Sequence, residues 1–225
     1  MKCELRLHTL DGCSLAIGRF PPFRYDSRGG GGVGLLELGD PEGIDLEPIH
    51  PETSDGAALQ LLHFPPEQLS IPALDCRTCR FLGLPLPPGL AIRIEPVRLE
   101  GWLHPAQGSL RLRFQARFHF QIGRLYRPPH LWVDTWLCTG SRCGAPHPRW
   151  GALEGRSLFD PQGGLLVGVA PIPPSGDPWL DRFLGLPGEA MARLRCALSA
   201  ADGVAGTGVE PAEQGIHLDH RGIHA

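Results

Sequence analysis

Two cysteines separated by two residues, Cys76 and Cys79, are the strongest candidates for metal or redox chemistry in the sequence. A redox pair normally lies at the start of a helix, and the six residues that follow, Arg-Phe-Leu-Gly-Leu-Pro, leave little room for one. A zinc site needs further ligands, and Cys138, Cys143 and His147 could supply them only at a spacing that matches no recognised short motif. The sequence therefore favours free, partly buried thiols, and we expect no metal and no other cofactor.

Recognised catalytic motifs are missing from the sequence. It has no Gly-x-Ser-x-Gly nucleophile elbow, no phosphate-binding P-loop, no His-Glu-x-x-His pair and no EF-hand. Pairs of carboxylates for acid–base chemistry can be found, but a chain with 24 acidic residues offers such pairs by chance. We therefore expect no catalytic residues and favour a non-catalytic role.

Large aromatic side chains indicate a different kind of site. Phe118, Phe120, Trp132 and Trp136 all fall in strand-like segments. A curved antiparallel sheet that closes around apolar side chains forms a pocket for a hydrophobic small molecule. The sequence thus predicts that these four residues line a site for a lipid-like or pigment-like ligand. The alternative is that they fill a solid core, as large aromatic residues ordinarily do.

Three arginines, Arg111, Arg113 and Arg117, are candidates for a surface contact because they share the polar face of one predicted strand. A row of guanidinium groups could bind an anionic head group or an acidic protein. The alternative function is therefore a protein interaction or assembly module with a solid core and no ligand. A cavity of several hundred cubic ångströms would favour ligand binding, and an exposed apolar patch over a solid core would favour a protein partner.

These candidates depend on one long strand, residues 110–122, in which apolar and polar residues alternate strictly. Side chains on a strand point alternately to opposite faces, so the even-numbered residues, from Leu110 to Ile122, form a dry face. The preceding segment alternates as well, but its phase shifts by one residue at Pro96, as at a β-bulge. Residues 97–122 are therefore predicted to form a hairpin.

Other segments predict further strands. Residues 2–9 and 15–20 flank Asp11 and Gly12 and read as an N-terminal hairpin, because this dipeptide suits tight hairpin turns. Residues 59–64, 69–74, 131–139 and 165–170 are short apolar or alternating runs. The glycine run at residues 29–34 matches a dinucleotide-binding pattern only formally, since no helix can follow it, and reads as a loop.

The C-terminal part predicts helices. Asp177 and Pro178 are suited to the N-cap and first position of a short helix that ends at Gly185. Residues 187–198 read as a second helical or strand segment, and the spacing of its apolar residues, Ala190, Met191, Leu194 and Leu198, favours a helix. The hexapeptide at residues 80–85 recurs at 182–187, which we interpret as two similar apolar segments, each ended by proline, rather than as a duplication.

Composition sets the remaining limits. The net charge is −3 without large blocks of like charge, which argues against a nucleic-acid partner. No apolar run is long enough to span a membrane, and the charged N-terminus does not resemble an export signal, so we expect a cytoplasmic protein with reduced cysteines. The prediction is a mainly β fold: an antiparallel barrel or sandwich of about seven to ten strands with one or two short C-terminal helices. It occupies residues 1–198 as one domain, and residues 199–225 are expected to be a disordered tail.

Overall fold

The computed structural model of this protein describes residues 3–38, 59–140, 149–150 and 153–201. Within these ranges the chain forms thirteen β-strands, one α-helix and one turn of 3₁₀ helix. The strands are β1 (Cys3–Thr9), β2 (Cys13–Ile17), β3 (Phe23–Tyr25), β4 (Gly31–Leu38), β5 (Gln60–Phe64), β6 (Leu69–Ser70), β7 (Cys79–Phe81), β8 (Leu84–Pro85), β9 (Leu90–His104), β10 (Ser109–Ile122), β11 (Leu131–Cys138), β12 (Gly164–Ile172) and β13 (Gly188–Ala200). The helices are the 3₁₀ turn Pro66–Gln68 and α1 (Pro178–Leu184). The predicted mainly β class is confirmed, with slightly more strands than expected.

The sheet closes on itself. Eight strands follow one another as antiparallel neighbours in the order β1, β4, β5, β9, β10, β11, β12 and β13, and β13 pairs back onto β1. Closure leaves the ring without an unpaired edge. Of the two predicted architectures, barrel and sandwich, the closed ring is therefore the one observed.

The first two strands do not form the predicted hairpin. Both β1 and β2 run antiparallel to β13: Thr9 lies opposite Cys196, and Ser14 lies opposite Arg193. They are two parts of one long strand, interrupted at residues 10–12, where the Leu10 amide donates to the Arg195 carbonyl at 2.8 Å. The prediction of an N-terminal hairpin is wrong because Asp-Gly also suits an interruption within a strand, and pairing with β13 decides which of the two forms.

From Gly31 onward the glycine run is a strand rather than the predicted loop, whereas Gly29 and Gly30 precede that strand. Gly31 to Gly34 begin β4, which pairs with β1 on one side and with β5 and β6 on the other. A Cβ atom at Gly34 would lie 2.7 Å from the buried Phe64 ring, so the aromatic side chain packs directly against bare backbone. Glycine in a strand marks such close approaches, which the sequence does not reveal on its own.

The central hairpin agrees with the prediction. Strands β9 and β10 pair along their whole length, and the register shifts where Gln115 pairs with Arg98 and Ala116 pairs with Pro96. Val97 is thereby left out of the pairing, as in a β-bulge. The predicted strands at 59–64, 131–139 and 165–170 are present as β5, β11 and β12. Of residues 69–74, only Leu69 and Ser70 form a strand, because Pro72 cannot donate to a ladder.

The C-terminal segments differ from each other. Helix α1 forms as predicted: Asp177 accepts a hydrogen bond from the Leu180 amide at 2.8 Å, and Gly185 ends the helix in a left-handed conformation. The second predicted helix is wrong, since residues 188–200 form β13. Ala190, Leu194 and Leu198 fit a helical period, but Ala192 and Cys196 between them complete a period of two. Pairing with β12, β1 and β2 along its length selects the strand.

Two groups of buried apolar side chains fill the ring. One includes Leu62, Phe64 and Leu112, and the other surrounds Leu180 and Leu184 of α1, which pack against residues such as Ile172 and Leu131. Phe114 and Leu194 contact both groups. The helix therefore packs its buried face against the end of the ring where β10 and β12 finish and where β13 begins.

Candidate functional site

The interior of the ring contains an apolar cavity of about 150 Å³ between the two core groups. Its wall is assembled from nearly every strand, and its large side chains include Phe23, Ile94, Phe114, Phe118 and Met191. An antiparallel ring of eight strands has an interior that is either filled by side chains or able to hold one small ligand. Here the filling is incomplete, and the remaining space is the candidate site.

The buried hydroxyl groups of the cavity wall are hydrogen-bonded to backbone carbonyl oxygens. Tyr25 donates its hydroxyl to the Pro72 carbonyl, Thr135 donates to the Val169 carbonyl at 2.8 Å, and Ser27 donates to the Leu10 carbonyl at 3.1 Å. Burial raises the pKa of Tyr25, so its hydroxyl remains protonated at neutral pH. Among the residues that line the cavity, none carries an ionisable acid or a basic group of the Asp, Glu, Lys, Arg or His type. The wall therefore presents hydrocarbon and aromatic surface to a guest.

The two predicted phenylalanines lie in the interior, and one of them reaches the cavity. Phe118 is half-buried and lines the cavity, together with Phe114 on the same strand. Phe120 is buried in the adjoining core but does not line the cavity. The dry face predicted for β10 is the inward face, except that Ile122 at its end is exposed.

The two predicted tryptophans lie on the outside. Trp132 and Trp136 are half-buried on the outer face of β11, whereas Val133, Thr135 and Leu137 line the cavity. The expectation that the tryptophans face the interior is wrong, and one residue of the sequence indicates their outward orientation. Asp134 shares their face, and an unpaired carboxylate in an apolar interior is far more costly than two tryptophans at the surface.

The three arginines form contacts within this outer face. Arg113 and Asp134 form an ion pair at 3.0 Å, Arg117 and Glu95 form another at 3.0 Å, and the guanidinium of Arg111 lies 4.7 Å from the centre of the Trp136 ring. These are cross-strand pairs of the kind that stabilise a sheet. Each arginine has a structural role that the alternation of residues in β10 does not disclose.

Acid–base groups on this face are structural as well. His119 and Glu95 are 2.7 Å apart between Nε2 and the carboxylate, and the hydrogen bond from His119, followed by that from Arg117, lowers the pKa of Glu95. For Asp134, partial burial opposes ionisation, but hydrogen bonds from Arg113 and Gln115 outweigh it and lower the pKa. Both carboxylates are therefore held ionised as partners of neighbouring strands.

The cysteine pair forms no metal site with its described surroundings. Cys79 is buried, and burial raises its pKa to about 11, which keeps the thiol protonated and unreactive. Among the residues that the structure describes, no group of three or more His, Cys, Asp or Glu side chains is placed to hold a metal ion. Cys143 and His147, considered above as additional ligands, lie outside those residues. Cys138 is disulfide-bonded, against the expectation that all cysteines are reduced, and the five other described cysteines are free.

Much of the cavity wall comes from residues that the sequence did not single out. Leu15 and Ile17 of β2 and Phe23 of β3 face the cavity, as does Met191 of β13. The alternation in β2 was a usable signal, but its assignment to a separate hairpin removed it from the ring. Met191 is one of the apolar residues on which the helix prediction for its segment rested, and that prediction gave no indication that it lines the interior of a ring of strands.

Comparisons with protein families, curated protein sequences and solved structures find no match for this chain. Its function therefore has to be inferred from the ring, the cavity and the surface. Among the described residues, no helix is long and apolar enough to cross a membrane.

Proposed function

We propose that this protein binds a small, neutral, apolar molecule inside its closed ring of strands. The observation that carries the proposal is the cavity inside the ring, whose wall is almost entirely apolar and whose buried hydroxyl groups, those of Tyr25 and Thr135 among them, are already hydrogen-bonded to the protein. A guest with a charged or strongly polar group would lose its hydration without gaining a partner, which is costly. A hydrocarbon or aromatic guest would lose nothing of that kind.

The size of the cavity limits the guest. About 150 Å³ is comparable to engineered cavities that remain dry and accept benzene. It is below the roughly 300–1,000 Å³ of sites for larger ligands, and thus smaller than the cavity of several hundred cubic ångströms described above as favouring ligand binding. The proposed ligand is therefore smaller than the lipid-like or pigment-like molecule expected from the sequence. One ring system or a short alkyl segment would fit, and a larger molecule would fit only if Phe114 or Phe118 moved.

The test is ligand-dependent thermal stabilisation. A molecule that binds only the folded state stabilises it by an amount that grows with the logarithm of the ligand concentration once this exceeds Kd. We expect the melting temperature to rise in this way with toluene or naphthalene and not to rise with benzoate, which has a similar ring but carries a charge. Mass spectrometry of a solvent extract of the purified protein would show whether an apolar molecule co-purifies.

A matched pair of substitutions locates the site. Ala192 lines the cavity, and Ala197 lies on the same strand but on its other face. Ala192→Leu fills the cavity and should abolish the stabilisation by toluene, whereas Ala197→Leu should retain it. If neither compound stabilises the protein and no apolar molecule co-purifies, the interior is only imperfectly packed and the proposal is wrong.

The alternative of a protein interaction module gains no support from Arg111, Arg113 and Arg117, because each of them contacts another residue of the same outer face. One observation does support a protein interaction module: exposed apolar side chains occur on several turns. Most of these turns lie at the end of the ring that α1 covers.

A further inference from the structure

Five aromatic side chains form a row across one end of the ring, which we call the aromatic end. Consecutive ring centres are 6.1 Å apart for Phe81 and Phe20, 5.1 Å for Phe20 and Phe183, 5.1 Å for Phe183 and Trp179, and 5.0 Å for Trp179 and Tyr126. The row joins the turn that follows β2, the end of β7, helix α1 and the turn that follows β10. It therefore fixes four separate segments relative to one another.

Apolar side chains project into solvent from three of these segments. Leu82 is 80% exposed at the tip between β7 and β8, Trp179 is 51% exposed on α1, and Leu125 is 99% exposed after β10. Leu84, next to the first tip, is also largely exposed. A single exposed leucine is ordinary. Several exposed apolar side chains around one aromatic row form an apolar surface of the kind that marks a binding site for a protein or a membrane.

Arginines surround the same surface. Each aromatic residue of the row except Trp179 has an exposed arginine next to it in sequence: Arg19, Arg80, Arg127 and Arg182, and Arg124 lies beside Leu125. Arg19 and Arg80 donate hydrogen bonds to backbone carbonyl oxygens, which are neutral groups. The side chains thus add positive charge around the apolar tips.

The carboxylates of α1, its N-cap and the start of β13, those of Asp177, Asp181 and Glu189, are all half-buried, and the two aspartates are hydrogen-bonded within the protein. Asp177 accepts hydrogen bonds from the Leu180 amide and the Tyr126 hydroxyl, and Asp181 accepts from Ser175. The exposed carboxylates of the described residues lie in other segments, at Glu4, Asp11, Glu67 and Glu154. The exposed charge of the aromatic end is therefore positive.

We propose that the aromatic end docks this protein peripherally on an anionic phospholipid surface. Tryptophan and tyrosine favour the boundary between head groups and acyl chains, and arginines near that boundary are attracted by anionic lipids. The apolar side chains stand on separate turns rather than in a groove, an arrangement that suits shallow insertion into a fluid surface. A protein partner or a second copy of this chain is an outcome that the test distinguishes.

The experiment is co-sedimentation of the full chain with vesicles of phosphatidylcholine, with and without phosphatidylglycerol. We expect binding to the vesicles that contain phosphatidylglycerol, weak binding to pure phosphatidylcholine, and loss of binding at high salt, because exposed charges are screened. Reversing two rim charges with Arg124→Glu and Arg127→Glu should weaken the partition coefficient at least tenfold, on the order expected for two arginines at an anionic surface.

Matched controls are available on the rest of the protein. Leu125→Asp should reduce binding about tenfold, the order expected when one leucine no longer enters an apolar phase. Phe159→Asp should not reduce it, although Phe159 is also exposed, because it lies by the turn before β10, at the opposite end. Arg6→Glu together with Arg193→Glu matches the double charge reversal at exposed positions away from the aromatic end. All of these positions are exposed, so near-wild-type melting temperatures should confirm that each variant folds.

Three results would overturn the docking proposal. The first is no binding to anionic vesicles at low salt, the second is equal binding to neutral vesicles, and the third is equal loss of binding in the variants and their controls. Sedimentation velocity without vesicles tests self-association: a dimer that Leu125→Asp dissociates, with no vesicle binding, would assign this surface to a second copy. The proposal does not depend on an interior ligand, since these variants leave the cavity wall unchanged and Ala192→Leu leaves the aromatic end unchanged.

Discussion

The hexapeptide Arg-Phe-Leu-Gly-Leu-Pro occurs twice in this protein and folds in two ways. At residues 80–85 it forms β7, a tight turn and β8, and at residues 182–187 it forms the last turn of α1 and the segment leading to β13. Six identical residues thus specify neither a strand nor a helix. Because the two copies differ in secondary structure, their shared sequence does not indicate a duplicated structural unit.

The copies have two features in common. The glycine adopts a left-handed backbone in each, with φ of 84° at Gly83 and 74° at Gly185. The phenylalanine contacts the same ring, since Phe81 and Phe183 both pack against Phe20. The shared sequence therefore preserves the reversal of the chain and an aromatic contact, but not the conformation that leads up to them.

The leucine before the glycine shows the difference most clearly. Leu82 is 80% exposed, and Leu184 is 2% exposed within the core. The flanking residues account for this: Asp177 caps α1, whereas Asp75 accepts hydrogen bonds from the Arg77 and Thr78 amides in a turn that leads into β7. The interpretation of both copies as similar apolar segments is thus wrong for the first copy, whose leucines face solvent.

The largest expected effect separates the two leucines. Leu184→Ala should lower the free energy of unfolding by about 2–5 kcal/mol, because it opens a cavity in the core. Leu82→Ala should change it by less than about 0.5 kcal/mol, as surface substitutions usually do. Denaturant unfolding of both variants measures the difference, and equal losses would show that the first copy is also part of the core.

A smaller effect should be shared by the two glycines. Gly83→Ala and Gly185→Ala should each cost about 1–2 kcal/mol, since a side chain disfavours the left-handed conformation. A Cβ atom would meet no steric clash at either position. No atom lies within 4 Å of a Cβ at Gly83, and the nearest atom to a Cβ at Gly185 belongs to the Arg19 side chain, 3.4 Å away. Asn tolerates this conformation better, so Gly→Asn variants should recover part of the loss. Losses that Asn does not reduce would contradict the backbone explanation.

The smallest effect concerns pH and only the second copy. The hydrogen bond from the Leu180 amide, followed by that from Tyr126, lowers the pKa of Asp177. A carboxyl group whose folded pKa is lowered stabilises the protein above its unfolded pKa, and the contribution is lost as the pH falls through the folded pKa. Between neutral and acidic pH, the melting temperature should thus fall less in Asp177→Asn than in the wild type. Glu67→Gln, at an exposed position, is the control; identical slopes in Asp177→Asn and wild type would refute the assignment.

Local sequence patterns predicted correctly those strands and helices whose tertiary contacts favour the same conformation as the local sequence does. The alternation in β10, the phase shift at Pro96 and the cap of α1 at Asp177 were all readable, because each reflects a periodicity or hydrogen bond within a few residues. The inward orientation of Phe118 followed from the same alternation. The prediction that Trp132 and Trp136 face the interior was wrong, because the hydrophobicity of tryptophan does not decide its orientation when a charged residue, Asp134, shares the same face of the strand.

The sequence by itself determined that this chain forms antiparallel strands and that β10 has one apolar face, because side-chain alternation is a property of the strand alone. Only the tertiary structure decided that β1 and β2 are parts of one strand and that residues 188–200 form a strand rather than a helix. It also decided that two identical hexapeptides adopt different secondary structures. The physical reason is that these outcomes depend on hydrogen bonds and packing with partners distant in sequence, above all β13, which pairs with the N-terminal strands and thereby closes the ring.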